Sequence, residues 1–128
     1  MRDIAHNFAA VSAIAPAVQS AALNSAAIDT KDFNSLAFVV NTGAIAGSGD
    51  FGVKLQESDT TTDADFTDVP ADQRYSNAPA TLAANSAYRL GYTGWKRYVR
   101  AVLSKAGGTS IALGVVAIKG NAAVKPVA

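Results

Sequence analysis

The chain has 128 residues, with eleven lysines and arginines against ten acids and a formal net charge of +1. This length suits one domain with a single core and is too short for two domains of ordinary size. The lack of cysteine excludes a disulfide framework, a thiolate nucleophile and a zinc–thiolate site. The near-neutral charge balance by itself predicts no polyanionic partner.

The charges are unevenly distributed along the chain. Residues 1–72 contain all ten acids and three bases, a net charge of −7, whereas residues 73–128 contain eight bases and no acid, a net charge of +8. Two arrangements fit this pattern: the halves neutralise each other within one chain, or they present opposite charges to neighbouring copies. We favour the first, because strands from the two halves readily lie side by side in a sheet.

The first 23 residues form an apolar, alanine-rich segment that we predict to be an N-terminal arm. Pro16 would end a helix begun at Phe8, and Asp3 and His6 do not suit a signal peptide. The apolar run is also too short to span a bilayer. We therefore expect an extended or partly helical arm that lies on a neighbouring subunit. The side chains expected to fill grooves on that partner are Ile4, Phe8, Val11, Ile14 and Val18.

From residue 24 onward the sequence has the alternating pattern of β-strands. LAFVVN (36–41) and FGVKLQES (51–58) alternate as half-buried antiparallel strands do. Between them TGAIAGSGD (42–50), with three glycines, predicts a loop. The inward-facing side chains predicted for the two strands are Leu36, Phe38, Val40, Phe51, Val53 and Leu55.

The second half of the chain is predicted to contain three further strands. SAYRLGYTG (86–94) is followed by WKRYVRAVLS (95–104), and the dipeptide Thr93-Gly94 predicts a hairpin turn that pairs them. SIALGVVAIKG (110–120) is apolar on both faces, which predicts a central strand covered on both sides. The basic residues of the second strand, expected to face solvent, are Lys96, Arg97 and Arg100.

Seven or eight short strands at regular spacing, with no long helix, predict an all-β fold. We expect an antiparallel β-sandwich of jelly-roll or immunoglobulin-like kind, with an extended N-terminal arm. Residues 1–23 would form the arm, 24–120 the sandwich and 121–128 a C-terminal tail. Because much of the apolar content is alanine, which buries little area, we expect a thin core that gains order from partners.

Two motifs could bind small ligands. GSGDFG (47–52) matches G-x-G-x-x-G, but it runs into a strand rather than a helix, and Asp50 would repel phosphate, so no dinucleotide cofactor is predicted. The acidic run 57–68 is not an EF-hand, because Ala64 and Pro70 stand where a glycine and a glutamate are needed. A solvated hairpin loop is favoured there, and an irregular calcium site stays open. Its ligands would be Asp59, Asp63, Asp65 and Asp68.

The aromatic residues of the 86–104 region allow three interpretations. Trp95 with Tyr88 and Tyr92 would form a sugar-stacking platform, or with Arg97 and Arg100 a surface for single-stranded nucleic acid. We favour a core position for Trp95 at the start of a strand, because large aromatic side chains dominate small β cores. Nucleic acid is accordingly not expected as a partner.

The sequence contains no recognisable catalytic constellation. His6 is the single histidine and lies near the start of the chain, which disfavours a Ser-His-Asp triad. The acidic pairs occur in a polar loop without the apolar surroundings that would raise one pKa. We therefore expect a protein that is not an enzyme and that carries no cofactor or metal ion.

The order of these features resembles small structural proteins of tailed bacteriophages, especially those encoded among head genes. The resemblance covers about residues 26–104 and is carried by an apolar strand followed by GAI, by VKLQESD (53–59), by FTDV (66–69) and by KRYVR (96–100). It implies a β-sandwich subunit that lies on or between other virion proteins.

Among such roles we favour a head decoration or cement protein that binds the major capsid protein in many copies and stabilises the shell. Repetition on a symmetric shell strengthens contacts that are weak individually. The arm would grip a neighbour, and the basic strand would meet an acidic shell surface. Such a protein assembles in the host cytoplasm, resides in the phage head and needs no membrane. The alternatives are a head–tail connector or tail-associated protein, and a carbohydrate- or host-surface-binding module.

Overall fold

Ten strands build the structure, a computed structural model that describes residues 3–122. Among these residues, one short 3-10 helix, Ala5–Asn7, precedes the first strand, and two more, Asp63–Asp65 and Ala71–Gln73, lie between later strands. The strands are β1 (Phe8–Gln19), β2 (Leu23–Asn24), β3 (Ile28–Asp29), β4 (Phe33–Ala46), β5 (Asp50–Ser58), β6 (Thr67–Asp68), β7 (Arg74–Ser76), β8 (Ala87–Tyr92), β9 (Tyr98–Gly107) and β10 (Ser110–Ala122).

The strands form two antiparallel sheets, which confirms the predicted all-β sandwich. Sheet A has the order β1-β10-β4-β8-β7, and sheet B has the order β2-β9-β5-β6 with β3 also paired to β9. The strands are less uniform than expected, because β1, β4 and β10 each run for twelve or more residues. Sheet A is therefore the longer layer.

The core lies between the two sheets and is built by alternation. Leu36, Phe38 and Val40 of β4 are buried as predicted, and so are Phe51 and Leu55 of β5. Each strand points every second side chain at the opposite sheet, so the two inner faces meet in one apolar layer. The other buried apolar side chains of this layer include Leu90, Val99, Ala101, Leu103, Leu113 and Val115.

The segment predicted as an arm is extended, but it pairs within its own chain. β1 forms the edge of sheet A and runs antiparallel to β10 along its whole length. Two register shifts interrupt the ladder, between Ser12 and Ile14 and between Ile14 and Ala17, and Pro16 lies within the second. The predicted boundary after residue 23 therefore does not separate an arm from the sandwich. At the other end β10 continues to Ala122, and the remaining tail residues, 123–128, lie outside the described part of the chain.

The predicted hairpin at Thr93-Gly94 is wrong. β8 belongs to sheet A and β9 to sheet B, so residues 93–97 form a connection that crosses from one sheet to the other. The predicted loop 42–50 is also shorter than expected, because β4 continues to Ala46 and only the turn before β5 crosses between the sheets. Gly47 in this turn has a φ of 58°, a left-handed conformation that glycine adopts without strain.

Candidate functional site

The outer face of sheet A is uncharged and, apart from Asn41, apolar at its centre. β10 is a central strand, as predicted, but its outer side is not buried as that prediction required: Pro16 packs against Gly114, whereas Val116 is 41% exposed. Across the strands Val116 lies opposite Val39, Ile118 opposite Ala37, and Gly114 opposite Asn41. We call this surface the sheet A face and define its centre as Ala37, Val39, Asn41, Gly114, Val116 and Ile118.

Charge is almost absent from the sheet A face. Among the described residues, the outward-facing positions of β1, β10, β4 and β8 carry a single charged side chain, Arg89 on β8. Its guanidinium lies 5.5 Å from the ring centre of Tyr75 on the edge strand β7. Arg89 lies directly across from Val39, so it borders the centre of the face on the β8 side, with its guanidinium turned toward the β7 edge.

A shallow groove of about 460 Å³ crosses the sheet A face. The irregular part of β1 lies along one side of the groove, where Pro16 packs against Gly114 of β10. Val116 of β10, Val39 of β4 and Ala87 of β8 also line it. No lysine, arginine, aspartate or glutamate is among the residues that line it. The groove offers shape and apolar contact rather than charge.

The outer face of sheet B is polar and internally paired. The Lys54 ammonium lies 3.0 Å from an Asp68 carboxylate oxygen, and the Gln56 amide donates to the same carboxylate at 2.9 Å. Arg100 donates to the Gln56 carbonyl oxygen at 2.7 and 3.0 Å, pairs with Asp63 and lies 4.3 Å from the centre of the Phe66 ring. The segment that carries the last two residues folds back over this face, so Arg100 is only 9% exposed.

The predicted basic strand is neutralised within the chain. Lys96 pairs with Asp59 at 2.8 Å, and Arg97 makes a two-pronged contact with Asp29 at 2.9 and 3.0 Å. The Arg97 guanidinium and the Lys31 backbone N–H hold the pKa of Asp29 down at about 2, and the partner carboxylates raise the pKa values of Lys96 and Arg97. These pairs join the basic half of the sequence to the acidic half. The first of the two charge arrangements is therefore the observed one.

The five side chains predicted to fill grooves on a partner have different surroundings. Ile14 is 4% exposed and belongs to the chain's own core, so it is not available to a neighbour. Phe8 and Val11 are half-buried in the sandwich. Ile4 and Val18 are 60% and 70% exposed and are the two that remain accessible.

The three aromatic side chains do not form a common platform. Trp95 is 81% exposed, which overturns its predicted place in the core. Tyr92 is buried, donates its hydroxyl to Glu57 at 2.7 Å and accepts the Lys96 backbone N–H at 2.9 Å, and burial raises its pKa well above the ordinary value. The Tyr88 hydroxyl accepts the backbone N–H of Ala83. Only Trp95 is free to stack on a ligand.

The four aspartates considered for calcium are directed to separate partners. Asp59, Asp63 and Asp68 pair with Lys96, Arg100 and Lys54, and Asp65 accepts the Thr60 hydroxyl at 2.7 Å. Within residues 3–122 no three metal-ligating side chains converge. The glycine-rich motif, 47–52, spans the sheet-crossing turn and the first three residues of β5.

Comparisons with known proteins found no matching family model, curated protein or solved structure. Within residues 3–122 no helix has the length and apolar character needed to cross a membrane. The surfaces described above are therefore interpreted from their own chemistry.

Proposed function

We propose that the chain is a structural subunit of a tailed-phage virion, a decoration or cement protein that binds the head shell. The observation that carries this proposal is the sheet A face, whose centre is uncharged and, apart from Asn41, apolar, whereas Lys96, Arg97 and Arg100 have acidic partners within the chain. Exposed apolar patches on soluble folds are commonly binding sites for other proteins. The resemblance of residues 26–104 to phage head proteins supports the same class of partner.

The size of the sheet A face supports a specific interface. β1, β10 and β4 contain twelve, thirteen and fourteen residues. At about 3.3 Å per residue and about 4.8 Å between strands, they span roughly 40 by 14 Å, or about 600 Å². Standard protein interfaces cover about 800 Å² on each partner. One such contact repeated over a symmetric shell gives a cement protein its combined strength.

The proposed occupant of the face is an apolar, weakly charged surface of the major capsid protein. The predicted contact between the basic strand and an acidic shell is not needed, because Lys96, Arg97 and Arg100 already have acidic partners. Apolar docking depends little on ionic strength, whereas contacts between exposed charges weaken as salt screens them. We therefore expect attachment to change less than about twofold between low and high salt.

A binding assay on heads assembled without this chain tests the proposal. Val116→Asp places a charge at the centre of the sheet A face and is expected to weaken attachment at least tenfold. Val102→Asp is the matched control, since Val102 points outward from sheet B opposite Lys54. Circular dichroism confirms that both variants fold. Full occupancy by Val116→Asp would contradict the proposal, and a single ring at one vertex would assign the chain to a connector instead.

A further inference from the structure

Trp95 is presented to solvent in the connection between β8 and β9. The indole is 81% exposed, although tryptophan is the side chain that gains most from burial. It lies where the chain crosses between the sheets, at the end of the sandwich rather than on the sheet A face. The core therefore does not account for a tryptophan at this position, and a contact with a ligand is considered.

The backbone that carries the indole is fixed on both sides. The Thr93 N–H donates to the Gln73 carbonyl at 2.8 Å, and the Lys96 N–H donates to the Tyr92 hydroxyl at 2.9 Å. Thr30 holds the end of the connection by donating its N–H and its hydroxyl to the Arg97 carbonyl. The exposed ring is thus held on an ordered support, so that little further backbone ordering is needed when a ligand binds.

A pocket of about 220 Å³ opens beside the indole. Its lining includes the polar residues Thr30, Asn34 and Ser35, of which the last two are exposed, and Phe33 adds an apolar residue. An amide supplies two donors and an acceptor, and a hydroxyl supplies both functions. The volume is below the range of drug-sized ligand sites, about 300–1,000 Å³, and suits one or two small rings in an open site.

The charges around the pocket disfavour a polyanion. Lys96, which lines the pocket, and Arg97 are paired with Asp59 and Asp29. The Lys119 ammonium lies 4.8 Å from the centre of the Phe33 ring and donates to the Asp29 backbone carbonyl at 3.4 Å. A nucleic acid would have to displace these carboxylates or accept their repulsion, because phosphate binding depends on unpaired positive charge. An uncharged ligand meets no such barrier.

We propose that Trp95 and the adjoining pocket bind a neutral hexopyranose unit of a glycan. The apolar C–H face of the sugar stacks on the indole, while its hydroxyls exchange hydrogen bonds with Asn34 and Ser35. This is the division of labour found in small-ligand sites, in which an apolar surface gives contact and a few polar groups fix orientation. The site lies at an end of the sandwich, and the inference is independent of the proposed attachment through the sheet A face.

Tryptophan fluorescence reports this site directly, because Trp95 is the single tryptophan of the chain. We expect titration with neutral oligosaccharides, chosen from a glycan array, to shift the emission to shorter wavelength and to protect it from an aqueous quencher. On the array, Trp95→Ala should weaken binding at least tenfold, and Asn34→Ala several-fold. Tyr75→Ala is the matched control, since Tyr75 is an exposed aromatic at a different place.

The possible outcomes separate this inference from the proposed function. Val116→Asp, the variant designed to impair shell attachment, should bind glycans as the unmodified chain does. The inference is overturned if no neutral glycan on the array binds, if Trp95→Ala binds as well as the unmodified chain, or if Trp95 instead proves necessary for binding single-stranded DNA or a protein. Each of these results can occur whether or not the chain attaches to heads.

Discussion

The outer faces of the two sheets differ in how their side chains find partners. On sheet B, Lys54 and Arg100 reach carboxylates of the same chain, and the segment carrying Asp63 and Phe66 covers part of the surface. On the sheet A face, Val39 and Val116 lie side by side with no segment of the described chain above them. The outer face of sheet B is partly covered by a segment of the same chain, whereas the outer face of sheet A exposes apolar side chains to water.

This difference shows that net charge and composition do not locate an interaction surface. A balanced charge of +1 conceals an ion-paired face and an almost uncharged face on the same small sandwich. Exposed ion pairs each contribute little to stability. The outer face of sheet B is therefore stabilised mainly by the packing and hydrogen bonds around Arg100. The apolar side chains of sheet A remain available for a partner.

The largest effect is expected from removing Arg100. Arg100→Ala loses the hydrogen bonds to Gln56, the pair with Asp63 and the contact with Phe66, and should lower the free energy of unfolding by about 2–3 kcal/mol. Arg89→Ala, beside the centre of the sheet A face, should cost less than about 0.5 kcal/mol. Urea denaturation measures both. Equal losses would remove the distinction between the faces.

A smaller effect is expected from adding one methyl group to the sheet A face. A Cβ at Gly114 would lie 3.0–3.3 Å from Pro16 atoms, so Gly114→Ala should push β1 outward and cost about 1 kcal/mol. A Cβ at Gly91 meets only the Tyr75 Cβ at 3.8 Å, so Gly91→Ala should be neutral or stabilising by about 0.5 kcal/mol. Thermal and urea unfolding compare the two. If Gly114→Ala proved as stable as Gly91→Ala, the close packing of Pro16 against Gly114 would not restrict the side chain at position 114.

The smallest effect is expected at the ion pair of Asp29 and Arg97. The pKa of Asp29 falls from 3.8 to about 2 in the folded chain, so its stabilising contribution is present above pH 4 and is lost as the pH falls from about 4 to 2. Because the pair is half exposed, the contribution should stay below about 1 kcal/mol. When the free energy of unfolding is measured against pH, Asp29→Asn should not show this loss between about pH 4 and 2. Asp72→Asn, at an exposed position, should still show it. Identical pH profiles for the unmodified chain and Asp29→Asn would contradict the assignment.

Local alternation predicted the layers of the fold well. Leu36, Phe38 and Val40 point inward because a strand turns every second side chain to the same side, and no distant contact is needed to see this. Thr93-Gly94 failed as a hairpin signal because the same residue types serve a turn within a sheet and a crossing between sheets. The choice depends on which strands pair, and strand pairing is a property of the whole chain.

The candidate sites were harder to predict than the fold. The sequence showed that both sides of β10 are apolar, and Ala37 and Val39 make the outer side of β4 apolar as well. The pattern did not show whether this outer face is covered by other residues or exposed to water. Trp95 was placed in the core on the general behaviour of its residue type, whereas its position in a sheet crossing leaves it outside. Which acid each of Lys96 and Arg97 meets also depends on strand register.

The irregular edge of sheet A has a consequence for contacts between separate copies of the chain. β1 is a long outer strand, and such strands can recruit the same strand of another copy and polymerise into fibres. Pro16 has no N–H to donate, and the register shifts around Ile14 break the even spacing that such zippering requires. Both features disfavour edge-to-edge pairing of β1 with the same strand of another copy.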